Sequence, residues 1–181
     1  MRRTLAVALL TLLLTACASA PKTPLPTPAQ PLDVERFLGR WYIIANIPYI
    51  GERGDVGSFV EYHARDDGCI DDLYFYRDGS LDAPLEQMSG IAKIVDTTTN
   101  AHWKAQFFWP LWFSFHVLYV DEDYRHALIG TPDRRLGWIY ARTPQVDATT
   151  LAALFERLIA AGYRREQFVL IAQHAAAMPA P

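Results

Sequence analysis

The stretch "FLGRWYIIANIPY", Phe37 to Tyr49, decides the fold. Gly39 and Trp41 bracket a single residue, and an apolar run follows as far as Pro48. Isoleucine, tyrosine and tryptophan favour strands, and the run is short for a helix. Successive side chains of a strand point to opposite faces, so Trp41, Ile43, Ala45 and Ile47 share one face. Trp41 to Ile47 therefore reads as a first strand.

The chain beyond it repeats the pattern. Strand-like segments recur at Phe59–His63, Ile70–Tyr76, Glu86–Val95, His102–Phe108, Phe113–Val120, Ala127–Gly130 and Leu136–Arg142, eight in all with the first. Turn residues cut them apart, among them Asp67-Gly68 and Asp78-Gly79, which are hairpin signals. Eight short strands at even spacing predict an all-β barrel or sandwich. One segment differs. In Asp147–Ala161, the residues Leu151, Leu154, Phe155, Leu158 and Ile159 fall at helical spacing, with Asp147 as N-cap and Gly162 as stop. A short last strand, Phe168–Ala172, follows, and residues 174–181 read as a flexible tail.

The N-terminus belongs to another class. Arg2 and Arg3 precede an apolar segment, Leu5 to Leu14, too short to span a membrane as a mature helix. Leu14-Thr15-Ala16-Cys17 resembles the bacterial lipobox, which implies cleavage of residues 1–16 and acylation of Cys17. The alternative is a plain secretory leader with an incidental cysteine. Cleavage would take the formal charge from −3 to −5. Ala18 stands where an aspartate resembles an inner-membrane retention signal, so the expected location is the outer membrane. Residues 17–31 carry five prolines and form a tether that could reach on the order of 40 Å. Cys69 is left with no intrachain partner and is expected to be a buried free thiol.

The order of elements and three blocks resemble the lipocalin family over about Leu32 to Gln173. The blocks are Gly39-Arg40-Trp41-Tyr42, "VDEDYRHALIG" from Val120 to Gly130, and Trp138 through Pro144 with its Arg142. Within the family, "GERG" at Gly51–Gly54, "TPDR" at Thr131–Arg134 and "ARTP" at Ala141–Pro144 look like the bacterial outer-membrane lipoprotein branch, with apolipoprotein D and the temperature-induced plant lipocalins similar. The resemblance implies an eight-stranded up-and-down antiparallel barrel over 32–173, with one C-terminal helix outside it. Gly39, Trp41 and Arg142 would be structural residues closing one end, the arginine stacked on the indole.

The lumen implied by strand alternation and the family blocks is apolar and aromatic. It comprises Ile43, Ala45, Val60, Tyr62, Trp103, Phe107, Phe115, Val117, Tyr119, Leu128, Trp138 and Tyr140. An eight-stranded barrel is wide enough for one small ligand, and these walls suit an acyl chain. The expected partners are a lipid such as a fatty acid or lysophospholipid, and a membrane reached through acylated Cys17. A haem or bilin carrier and an anchored interaction module with a filled core are alternatives, and a homodimer stays open. "FFWPLWFSF", Phe107–Phe115, gathers six aromatic rings around Pro110 and either caps the ligand, touches a bilayer or is buried.

Other functions are disfavoured. Mild charge without a run of Lys or Arg excludes a nucleic-acid footprint. The five histidines lack metal-ligand spacing, and Ser58 and Ser114 lack a nucleophile-elbow context. Asp71 and Asp72 are adjacent, face opposite sides of a strand, and cannot form an acid–base pair. No enzyme activity, metal or cofactor is expected.

Overall fold

A computed structural model describes residues 24–174. The leader, Cys17, the start of the tether and nearly all of the 174–181 tail lie outside those residues. Eight strands run β1 (Gly39–Asn46), β2 (Asp55–Ala64), β3 (Ile70–Asp78), β4 (Glu86–Ile94), β5 (His102–Phe108), β6 (Leu111–Val120), β7 (His126–Gly130) and β8 (Gly137–Ala141). Each pairs antiparallel with the next, and β1 pairs with both β8 and β2, which closes the barrel. A two-residue β9 (Val169–Leu170) adds to β1 at Ala45–Asn46.

Two α-helices and a 3-10 turn (Arg165–Gln167) complete the described fold. The longer, α2 (Ala148–Ala160), is capped as its sequence predicts: the Asp147 carboxylate accepts from the Thr150 amide at 2.9 Å. Gly162 ends it in the left-handed region, φ +89°, where glycine carries no Cβ penalty. The apolar stripe of α2 buries Leu154, Phe155 and Leu158 against the outside of β1, β6, β7 and β8. Each such burial stabilises by roughly 1.5–3 kcal/mol.

The shorter helix, α1 (Val34–Phe37), is a single turn that the sequence pattern does not announce. Asp33 caps it, accepting from the Arg36 amide at 3.1 Å. One turn is too short to leave a periodic signal. It nevertheless delivers Phe37, fully buried, into the barrel end.

Four of the ladders carry register shifts, and two of these, bulges in β1–β8 and β6–β7, displace residues from the lumen. In the β1–β8 ladder the register shifts between Ile43 and Ala45, and in β6–β7 between Val117 and Tyr119. A bulge inserts one residue and flips the phase beyond it. Ala45 and Ile47 therefore join the outer cluster beneath α2, as do Leu118 and Leu128, and Tyr119 packs against it. Ala45, Tyr119 and Leu128 thus stand outside the lumen they were expected to line, and Ile47, which strand alternation put on the Trp41 face, stands outside as well. Cys69 is also not buried: it is half-exposed in the turn before β3.

Candidate functional site

One end of the barrel is closed by aromatic packing. The Phe37, Trp41, Tyr62 and Trp103 rings meet at centroid distances of 5.1–5.9 Å. The Trp41 indole N–H donates to the Phe37 carbonyl at 2.7 Å. Arg142 lies over the Trp41 ring, 3.7 Å from its centroid. Its guanidinium donates to the carbonyls of Arg36 (2.7 Å), Leu38 (2.9 Å) and Arg40 (2.6 Å). The arginine thus satisfies carbonyls at the end of α1 and the start of β1 while stacking on the ring. Gly39 makes the turn between them at φ +85°, and a Cβ there would sit 3.6 Å from the guanidinium. Burial lowers the Arg142 pKa to about 10, which still leaves it charged at neutral pH.

Above this plug the barrel is hollow. A cavity of about 720 Å³ opens at the far end, so the filled-core alternative does not describe this barrel. Of the residues expected to line it, Ile43, Val60, Tyr62, Phe107, Phe115, Trp138 and Tyr140 do. Trp103 and Val117 are instead fully buried with the plug beneath it. The turn at Trp109–Pro110 joins β5 to β6 at the mouth. Phe107, Phe113 and Phe115 line the cavity there, whereas Trp109 is 88% exposed and Leu111 is also largely exposed. The "FFWPLWFSF" segment is thus neither wholly buried nor wholly on the surface.

Part of the wall is polar, and none of that part's residues belongs to the lumen expected from the sequence. The Tyr49 and Glu52 side chains reach the cavity from the β1–β2 loop, and Asp72 and Tyr74 from β3. Glu52 is 6% exposed and accepts from Asn46 Nδ2 (2.8 Å) and Trp138 Nε1 (3.2 Å). Burial outweighs these hydrogen bonds and raises its carboxyl to about 7. Nearby, buried Asp55 accepts from the Tyr74 hydroxyl at 2.7 Å. Asp72 is 4% exposed, and burial alone raises it to about 7. A signal for Asp72 was present: Ile70 and Tyr74 mark the inner face of β3, and Asp72 lies between them at period two. Asp71, on the other face, pairs with Arg65 at 2.8 Å.

Two further arrangements are outside the lumen. His102 and His116 stack at 4.2 Å, and His102 hydrogen-bonds Ser114 at 2.6 Å. They alternate with inward Trp103 and Phe115, which places the two imidazoles on the outer face. Among the described residues no group of His, Cys, Asp and Glu is placed to hold a metal ion.

The geometry has counterparts. The lipocalin-like domain family matches residues 32–173. The outer membrane lipoprotein Blc of Escherichia coli is 31% identical over 163 residues, covering 89% of this chain and 90% of that protein. The temperature-induced lipocalin-1 of Arabidopsis thaliana is 34% identical over 141 residues, covering 73% of this chain and 74% of that one. In three dimensions the barrel superposes on insecticyanin from the tobacco hornworm Manduca sexta with a TM-score of 0.66, covering 88% of each chain; at 16% identity that likeness is one of fold. With the Gly39–Trp41–Arg142 closure in place and a family match spanning the whole barrel, this chain belongs to the lipocalin family.

Proposed function

We propose that this chain is a membrane-anchored carrier whose lumen takes the acyl chain of a fatty acid, a lysophospholipid or a similar single-chain amphiphile. The observation that carries this reading is the cavity of about 720 Å³, open at one end and walled mainly by aromatic and aliphatic side chains. Pockets of this size and character enclose small apolar ligands. A tail of about 14 methylenes would gain at most about 11 kcal/mol gross, before the costs of ordering it. The exposed rings of Trp109 and Phe108 beside the mouth suit the interfacial layer of a bilayer, from which such ligands come.

The relatives' description as outer membrane lipoproteins supports the same location here. The leader and Cys17 support anchoring by acylation, with the barrel on the periplasmic side. The biological role is storage or transport of lipid in outer-membrane maintenance under stress.

Native mass spectrometry of the purified protein, followed by titration of the delipidated form with a fluorescent fatty acid, tests the binding. A co-purified lipid mass and saturable uptake are expected; neither appearing would sink the reading. For the anchor, Cys17→Ser should move the protein from the membrane fraction to the soluble periplasm. An unchanged distribution would remove lipidation from the account while leaving the carrier intact.

A further inference from the structure

Glu52 and Asp72 line the lumen and buried Asp55 lies nearby, and the three carboxyls are not equivalent. Glu52 holds Asn46 and Trp138 as donors, and Asp55 holds the Tyr74 hydroxyl. Asp72 has no hydrogen-bond donor among the described residues; desolvation is the sole perturbation of its carboxyl. It lies on the inner face of β3, opposite Tyr62 of β2 and Gly90 of β4. Gly90 offers no side chain, and a Cβ there would meet the Phe107 ring at 2.8 Å. The Tyr62 and Tyr140 phenols interact with each other. Asp72 therefore faces the cavity with its acceptors unspent, just above the Phe37–Tyr62–Trp103 plug.

Among the described residues no cation compensates it. Arg135 is the one basic residue of the cavity lining; its side chain is 84% exposed and lies 3.5 Å from Asp133. The titratable groups facing Asp72 are the phenols of Tyr62 and Tyr140, with Glu52 and Tyr74 also on the wall, so nothing there offsets a negative charge. The Asp72 oxygens open to the lumen and are not sealed in protein, the one wholly enclosed side-chain polar atom without a partner among the described residues being Asn46 Oδ1, so a head group can reach them. A barrel that only sheathed a hydrocarbon tail would be better served there by an apolar side chain.

We infer that Asp72 is a deep polar subsite for a basic, hydrogen-bond-donating head group, so that among single-chain amphiphiles the lumen selects long-chain amines or amino alcohols over carboxylates. The ammonium supplies both the donors and the positive charge that the wall lacks. A carboxylate lowered to the same depth would meet Asp72 and Glu52 as like charges. Burial, by holding Asp72 near 7, lets an arriving ammonium convert it to the ionised partner at neutral pH. This inference rests on the carrier reading and narrows its ligand class.

The test uses the full chain and displacement of the uncharged lumen probe N-phenyl-1-naphthylamine by dodecylamine, dodecanol and dodecanoate at pH 7.4. Dodecylamine should displace it about tenfold or more below the concentration dodecanol needs, as a charge-assisted hydrogen bond implies, with dodecanoate weakest. Asp72→Asn should bring dodecylamine to the level of dodecanol when the two are compared within that variant, whatever its affinity for the probe. Dodecanoate matching dodecylamine, or an amine preference that survives Asp72→Asn, overturns the subsite while the carrier stands. Failure of the probe to bind the wild type with saturation overturns the carrier, and the subsite with it. The ordering of the three wild-type affinities decides the matter alone should Asp72→Asn not fold.

Discussion

At the closed end, Trp41 is fully buried, its indole N–H is hydrogen-bonded and Arg142 covers its face. At the open end, Trp109 stands 88% exposed on a hairpin tip, and the neighbouring Trp112 is covered by Lys93 at 4.3 Å. The same residue type thus serves opposite purposes within one barrel. Aromatic surface at the closed end is spent on stability: it meets other rings and leaves no space. Aromatic surface at the open end lines a cavity or meets solvent, so its burial awaits something else. A barrel that must both stand and hold a guest separates the two demands along its axis.

The contrast is sharpest at Trp41. Trp41→Ala would open a void within the plug and leave the Phe37 carbonyl without its donor. A loss of about 3–5 kcal/mol is expected, measured by urea denaturation. A loss below about 1 kcal/mol would mean that the plug relaxes freely and that the closed end is no more committed than the mouth. Arg142→Met keeps much of the apolar stem while removing the cation and its donors. Its expected cost is about 2–3 kcal/mol, from the stacked ring and the carbonyls of Arg36, Leu38 and Arg40. Probe affinity measured on the folded fraction should be unchanged by it, because Arg142 does not reach the cavity.

These closed-end residues were legible because the blocks that resemble the lipocalin family carry them, and each suits its place physically. Gly39 has the left-handed φ that favours glycine, Trp41 falls on the inward phase of a strand, and Arg142 closes a recurrent block. The lumen was legible away from the bulges in β1 and β6. Ile43 precedes the first, Tyr140 avoids both, and Val60 and Tyr62 keep the inward phase beyond the register shift at Val56–Phe59 in β2. Ala45 lies past the bulge in β1, and Tyr119 past the one in β6; Leu128 pairs with Tyr119 and shares its face. A bulge is a property of two paired strands, so a single strand's periodicity does not reveal it. Asp72 is different: period two placed it inside, but a charged side chain on an inner face conflicts with the apolar expectation for a lumen. The residues that break the local rule are the ones that give this cavity its chemistry.

That chemistry predicts a pH response that belongs to the lumen wall and not to the plug. Glu52 and Asp72 both lie near 7 in the folded chain, against ordinary values near 4. Between those limits the folded state keeps protons that the unfolded chain releases, so stability should fall as pH rises from about 4 to about 7. Asp72→Asn should flatten that fall in melting temperature and raise stability above pH 7, while Trp41→Ala should shift the whole curve without changing its slope. A slope unaltered by Asp72→Asn would place the titrating group elsewhere.

The smallest effect belongs to Trp109, and its smallness is what gives it meaning. The ring contributes almost no buried surface, so Trp109→Ser should change the unfolding free energy by no more than about 0.5 kcal/mol. Transfer of a lumen-bound fluorescent lipid to vesicles should slow in the same variant, because the rim would lose an interfacial ring beside the mouth. Trp41→Ala, compared at equal folded fraction, should transfer at the wild-type rate. If instead Trp109→Ser destabilised the barrel as much as Trp41→Ala, the mouth would be part of the core, and the division of labour between the two ends would not hold. If stability and transfer were both untouched, the exposed hairpin would have no part in loading, and the route into the lumen would lie on the opposite rim, at the β1–β2 and β7–β8 loops that carry Glu52 and Arg135.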